Sequence, residues 1–240
     1  MTGRLVQVCL NGPRTRDDGV SVTPHELAAA ARDAVAAGAV DVHLHPKDAD
    51  GRDTLDPATV AACLDAVRDA APGVPVGVTT GAWAEPDPVR RVALVRAWRV
   101  LPDHASVNWH EDGAAELAEA LLDRGVGIEA GLWSDADGVG RFRSWPHRGR
   151  VLRILAEVVD TDPATAPDTA VRLLAELGDP GVPVLLHGED GGAWPVLRLA
   201  VARGLATRIG LEDTLSGPDG TPAPDNAAQV RAAVVRAALA

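Results

Sequence analysis

Two histidines one residue apart, in Asp41-Val-His-Leu-His-Pro46, are the residues here whose type and spacing most directly suggest chemistry. The segment Val40 to His45 alternates apolar and polar residues, the pattern of a strand. Val40, Val42 and Leu44 then face one side and Asp41, His43 and His45 the other. Two imidazoles at i and i+2 on one face can bite a single cation. Zinc suits such donors, and Fe(II), Co(II), Ni(II) and Mn(II) accept them as well. A single inward histidine is more often a hydrogen-bonded core residue, but two side by side favour ligation.

A catalytic zinc site usually takes three protein ligands and keeps one position open. The third ligand must come from another strand end, and Thr207-Arg-Ile-Gly-Leu-Glu-Asp-Thr214 offers one. Alternation puts Arg208, Gly210 and Glu212 on a common face, with Asp213 following where a loop begins. A solvated loop or a helix cap is the plainer reading of the two carboxylates. The inward arginine argues against it, since a buried guanidinium requires a carboxylate or a bound anion.

These residues need a scaffold, and the sequence supplies a repeating one. A short β-branched run followed by a longer Ala/Leu/Arg-rich segment recurs eight times, the signature of βα units and a parallel sheet. The expected strands are 5–10, 40–45, 76–79, 105–107, 127–130, 151–157, 183–187 and 207–211. Thr23-Pro24 opens the first helix and Gly38 closes it, while Asp56-Pro57, Pro167-Asp168 and Asn226 open others. The fifth unit is abbreviated: residues 135–150 hold three glycines, a proline and little helical periodicity, so a short helix or a loop is expected there. No linker divides the chain. Eight units in 240 residues predict one closed α/β TIM (β/α)8 barrel as a single domain over residues 1–240. In such a barrel His43 and His45 lie at the C-terminal end of the second strand, where the fold places its chemistry.

Composition narrows the partners. The formal charge of −11 disfavours nucleic acid and anionic membranes. No apolar run approaches the ~20 residues that span a bilayer, and the first residues do not read as a signal peptide. Cys9 and Cys63 sit in apolar stretches that predict burial, not a disulfide, which fits a cytoplasmic protein. Lys47 is the only lysine.

Taken together, the motifs resemble those of the β-keto acid cleavage enzymes, the family of 3-keto-5-aminohexanoate cleavage enzyme. The matching segments run in order along the chain: Cys9-Leu-Asn-Gly12, Val22-Thr-Pro24, Ala37-Gly38, Val42-His-Leu-His-Pro46, Asp50-Gly51, Thr79-Thr-Gly81, Ser106-Val-Asn108 and Arg208-Ile-Gly-Leu-Glu-Asp213. The resemblance implies a zinc-dependent barrel that converts a β-keto acid and acetyl-CoA into acetoacetate and a new acyl-CoA. It implies His43, His45 and Glu212 as metal ligands and Arg208 with Asp213 as the acid/base pair. Thr79, Ser106, Asn108 and Glu129 would contact substrate, and a homo-oligomer is expected.

The sequence departs from the family in several places. Glu129 is followed by Ala-Gly-Leu-Trp133 instead of a Phe-Asp pair, Thr214 stands where asparagine is usual, and the chain is short. The seventh strand ends in His187-Gly-Glu-Asp-Gly-Gly192, whose carboxylates oppose a phosphate electrostatically. A metal-dependent hydrolase or aldolase without CoA, and a catalytically idle binding barrel, therefore stand as alternatives. His187 is open between substrate contact, alternative base and core residue. Arg14 either attracts a carboxylate or is solvated. Trp83, Trp109, Trp133 and Trp194 follow strand ends, which predicts a place on the rim, either lining the mouth or between subunits. Trp98 and Trp145 read as core.

Overall fold

Eight short runs of mostly β-branched and small residues form the strands, each followed by a helix, in a computed structural model that describes residues 6–238. In chain order these are β1 (Val6–Cys9), α1 (Pro24–Ala36), β2 (Asp41–Leu44), α2 (Pro57–Ala70), β3 (Val76–Val78), α3 (Pro88–Ala97), β4 (His104–Asn108) and α4 (Ala114–Leu122). The second half comprises β5 (Gly127–Trp133), α5 (Gly138–Ser144), β6 (Arg153–Val158), α6 (Ala166–Leu177), β7 (Val184–Gly188), α7 (Asp190–Ala202), β8 (Thr207–Ile209) and α8 (Asn226–Ala238). The strands pair in parallel in the order β7-β6-β5-β4-β3-β2-β1-β8. A bridge between Leu185 and Ala206 brings β7 against the start of β8 and nearly closes the ring. This is the TIM-like (β/α)8 barrel expected from the eight repeats. The expected start of the first strand at Leu5 lies outside the described residues.

Helix starts are encoded locally. Thr23 accepts a hydrogen bond from the Glu26 N–H while Glu26 reaches back to the Thr23 N–H, and Pro24 occupies the first turn. Asp56-Pro57 and Asp87-Pro88 open α2 and α3 with the cap and the proline but without the reciprocal bond, each cap contributing about 1 kcal/mol. As its glycines predict, α5 is short, at seven residues.

The outward faces of the strands form the main core against the helices. Val8, Val42, Leu44, Val76, Val78, Ala105, Ile128, Ala130, Ile154, Ala156, Leu186 and Ile209 are all fully buried there. Val40, which alternation assigns to this face, is half-exposed instead, because β2 begins only at Asp41. Trp98 and Trp145 lie in the core as expected, but so does Trp109, which departs from the expected rim position. Trp109 packs edge-on to Phe142 of α5 and against Trp145, which follows that helix.

The inward faces are polar. Register sets Gln7 beside Asp41 and Arg208, Cys9 beside His43, Ser106 beside Glu129, Glu129 beside Arg153, and Glu157 beside His187. Gly77, opposite both His43 and His104, leaves the space the His104 ring occupies, since a Cβ there would lie 2.0 Å from it.

Candidate metal centre and active site

His43 comes from β2 itself and His45 from the residue just past it, so both rings rise toward the C-terminal mouth. Each presents Nε2 to the same carboxylate: His45 Nε2 lies 3.5 Å from Glu212 Oε1, and His43 Nε2 lies 3.9 Å from Glu212 Oε2. One donor atom from each of the three residues falls within 4.8 Å of the others, the one such group of three among the described residues. Tetrahedral donors bonded to zinc at about 2.1 Å stand roughly 3.4 Å apart, close to these separations. Both histidines are buried, and Glu212 Oε2 is buried with no hydrogen-bond partner. The two-imidazole, one-carboxylate set therefore fits a divalent cation in both chemistry and spacing.

Glu212 reaches this position by a different route from strand alternation. Strand β8 ends at Ile209, and residues 210–214 form a tight turn in which the Asp213 and Thr214 N–H groups both donate to the Gly210 carbonyl. The turn sends two successive carboxylates inward, which a strand cannot do. Arg208 binds both, through Nη2 to Glu212 Oε1 at 2.9 Å and through Nε to Asp213 Oδ1 at 3.0 Å. Its grip leaves Asp213 Oδ2 buried and without a partner, the free lone pair a general base needs. His187 lies 3.4 Å from Asp213 Oδ1 on one side and 3.4 Å from Glu157 on the other, so it bridges these two carboxylates.

Electrostatics separates the two ring systems. Burial pulls His43 down to about 4, against the attraction of Glu212. Burial also opposes charge on His45, but Glu212 and Asp53 outweigh it and push His45 up to about 9. His187 rises to about 9 because Glu157 and Asp213 overcome its burial and the repulsion of Arg208. Burial and the neighbouring Glu157 push the Glu189 carboxyl up to about 8.

A cavity of about 430 Å³ opens over this group, lined by Pro13, Arg14, Trp83, Trp133, Glu157 and Glu189 together with His45, Arg208, Glu212 and Asp213. Trp83 lies parallel to the His45 ring with centroids 6.0 Å apart and stands beside Trp133, so these two tryptophans line the mouth. Trp194 is buried in α7, its Nε1 donating to the Ser216 carbonyl. Arg14 is partly buried and pairs with Asp190 at 2.8 Å.

The expected substrate contacts are dispersed. Thr79 is buried past the end of β3, and its hydroxyl accepts from the Gly81 N–H. Ser106 and Asn108 sit on β4, with Asn108 Nδ2 bound to Glu111. Glu129 lies beneath His43, with Oε2 3.8 Å from its Nδ1, in a lumen network with Gln7, His104 and Arg153. Sequence reasoning missed Asp53, which hydrogen-bonds His45 Nδ1 at 2.7 Å. It also missed Glu157, although strand alternation from Arg153 points to it.

Comparison with known proteins decides the lineage. The family described as beta-keto acid cleavage enzyme matches residues 4–240. The chain belongs to that family. A comparison with curated protein sequences finds no match. Among solved structures, this family member is similar to the ternary complex of ObcA with a C4-CoA adduct and oxalate, with a TM-score of 0.69 and 18% identity over 88% of this chain and 62% of that one. It thus spans about three fifths of ObcA's length. The 3-dehydroquinate dehydratase of Geobacillus kaustophilus is similar at a TM-score of 0.56 and 15% identity, covering 96% of this chain and 90% of that one. At such identities these structures bear on the barrel alone.

Proposed function

We propose that this β-keto acid cleavage family member is a zinc-dependent acyltransferase that converts a β-keto acid and acetyl-CoA into acetoacetate and a new acyl-CoA. One observation carries the reading: two of the three donors of the metal site, His45 and Glu212, line the same cavity as Asp213, whose Oδ2 is free. A bound divalent cation would supply Lewis-acid polarisation of the substrate's ketone and carboxylate oxygens, which acidifies the carbon between them.

Asp213, held by Arg208, takes a proton from that carbon. The carbon adds to the acetyl carbonyl and the CoA thiolate leaves. The thiolate then adds to the original ketone, the old C–C bond breaks, and Asp213 returns its proton to the departing acetoacetate. Atoms balance, with one acyl group exchanged for another. Trp83 and Trp133 exclude water from one wall of the cavity. Thr79, Ser106, Asn108 and Glu129 are assigned to substrate contact on the family pattern; none of the four borders the cavity, and Glu129 bears on it only through His43.

Two buried, unpaired cysteines fit work in the cytoplasm, and among the described residues no helix is long and apolar enough to cross a membrane. We expect a homo-oligomer, which light scattering checks.

A second reading, a hydrolase or aldolase without CoA, is favoured by Asp190, which engages Arg14, a cation at the mouth that a phosphate would otherwise meet. Incubating zinc-loaded protein with a panel of β-keto acids, with and without acetyl-CoA, separates the two. Acetoacetate release that requires acetyl-CoA supports the first reading. Turnover without it supports the second, and silence across the panel refutes both.

A further inference from the structure

Lys47 is the one lysine among 23 basic residues, and it is buried beside the metal site. Its ammonium makes two contacts that lead to different strands. One goes to Asp53 Oδ1 at 2.5 Å and the other to the Gly12 carbonyl at 2.8 Å.

The first contact leads to His45. Residues 46–54 fold back on themselves, with an antiparallel bridge between Lys47 and Asp53 and a Thr54 N–H to Pro46 carbonyl bond of 2.9 Å. Asp53 thereby uses both oxygens, Oδ1 for Lys47 and Oδ2 for His45 Nδ1. With Nδ1 so engaged, Nε2 is the nitrogen turned toward Glu212, the orientation a metal requires, and a cation that binds there displaces its proton.

The second contact leads to Glu212. Gly12 has a φ of +57° and packs directly on the Glu212 side chain: a Cβ added there would lie 2.4 Å from Cγ. The loop that Gly12 opens also carries Arg14, whose Nε donates to the Glu212 carbonyl at 3.2 Å. Fixing the Gly12 carbonyl therefore fixes the surface on which Glu212 rests.

We propose that Lys47 is the positioning residue of the metal centre, its single buried ammonium setting two of the three ligands, His45 through Asp53 and Glu212 through Gly12. The inference rests on the metal reading above and assigns a role to a residue that never touches the cation. A compact ammonium with three rotatable donors suits the task, since it serves two loops from one point where a planar guanidinium would impose its own geometry.

The test measures Zn2+ affinity by chelator competition and the visible absorption of the Co2+-loaded protein. The variants are Lys47→Met, Asp53→Asn and the pair combined, each with the melting temperature of its metal-free form. Partners of metal-binding histidines typically alter affinity ~10–100-fold. Asp53→Asn is expected to weaken Zn2+ within that range and Lys47→Met to weaken it further, because it undoes both branches. The double variant should bind no more weakly than Lys47→Met, since the two residues act as a unit. The Co2+ spectrum should change in all three, whatever happens to the melting temperature.

Wild-type Zn2+ affinity and Co2+ spectrum in Lys47→Met would overturn the proposal. If that variant does not fold because Asp53 is left underpaired, the double variant removes the stranded charge and wild-type affinity there overturns it equally. Absence of Zn2+ binding in the wild type would instead refute the metal reading on which the proposal stands.

Discussion

The barrel lumen has a floor and a mouth built from the same residue types, yet the two are wired in opposite ways. On the floor, Asp41 accepts from Gln7, His104 and Arg153, and Glu129 accepts from Gln7 and Arg153 while pairing with His104 at 3.1 Å. Two carboxylates meet two cations, and the charges close on one another. At the mouth, Glu212 Oε2 and Asp213 Oδ2 are buried without hydrogen-bond partners, although Arg208 holds the other oxygen of each. Buried polar atoms are normally satisfied, so atoms left free beside a cavity mark where something must bind or react. Both regions place polar groups deep in a protein; the floor's two atoms without a hydrogen bond, Glu129 Oε2 and His104 Nδ1, face each other at 3.1 Å, whereas those of Glu212 and Asp213 belong to residues that border the cavity.

Disabling the mouth should leave the fold and remove the chemistry. Asp213→Asn is expected to lower kcat by ~10²–10⁴-fold, the usual worth of a general acid–base group, while zinc content stays at the wild-type level. Kinetics and elemental analysis on the same sample check it, and an unchanged kcat would remove Asp213 from the mechanism.

The floor should fail in the reverse manner. Arg153→Met strands Asp41 and Glu129 with less positive charge, and breaking a buried pair in this way costs about 3–5 kcal/mol. Chemical denaturation should show that loss. A variant of wild-type stability would mean that the floor is not a stabilising plug.

A gentler probe uses pH. Burial opposes charge on His104, but Glu129 and Asp41 outweigh it and raise it to about 10, with Arg153 the other charged group facing this set. A folded-state value raised above the unfolded one contributes stability that is complete below the ordinary histidine range and is lost as pH climbs through about 10. The melting temperature should therefore fall from about pH 6.5 to about pH 10 and level off above that, and His104→Gln should flatten that limb. An equal slope in both proteins would show that His104 is not the group responsible.

The two regions also differ in how far they could be read from sequence. The eight βα repeats and the inward faces of His43 and Arg208 follow from local period, so the barrel and half of the mouth were legible. Glu212 was placed correctly but for a reason the structure replaces: a turn after Ile209, not strand alternation, brings it and Asp213 inward. Asp53 escaped because its contact with His45 depends on how residues 46–54 fold back, which no periodicity encodes. The floor escaped for a different reason. Asp41 was visibly inward, but its partners His104 and Arg153 come from strands far along the chain, and only the barrel's register unites them. Trp109 misled because its burial depends on Phe142 and Trp145, which only the path of α5 brings against its ring.

Glu212 Oε2, with the Nε2 atoms of His43 and His45, is assigned to a metal ion, and Asp213 Oδ2 to a proton. Elemental analysis of wild type and a His43→Ala, His45→Ala double variant, purified side by side, tests this most directly. About one zinc or equivalent divalent ion per chain in the wild type and none in the double variant is the predicted result. An equal metal load in both, or none in either after incubation with Zn2+, would contradict it.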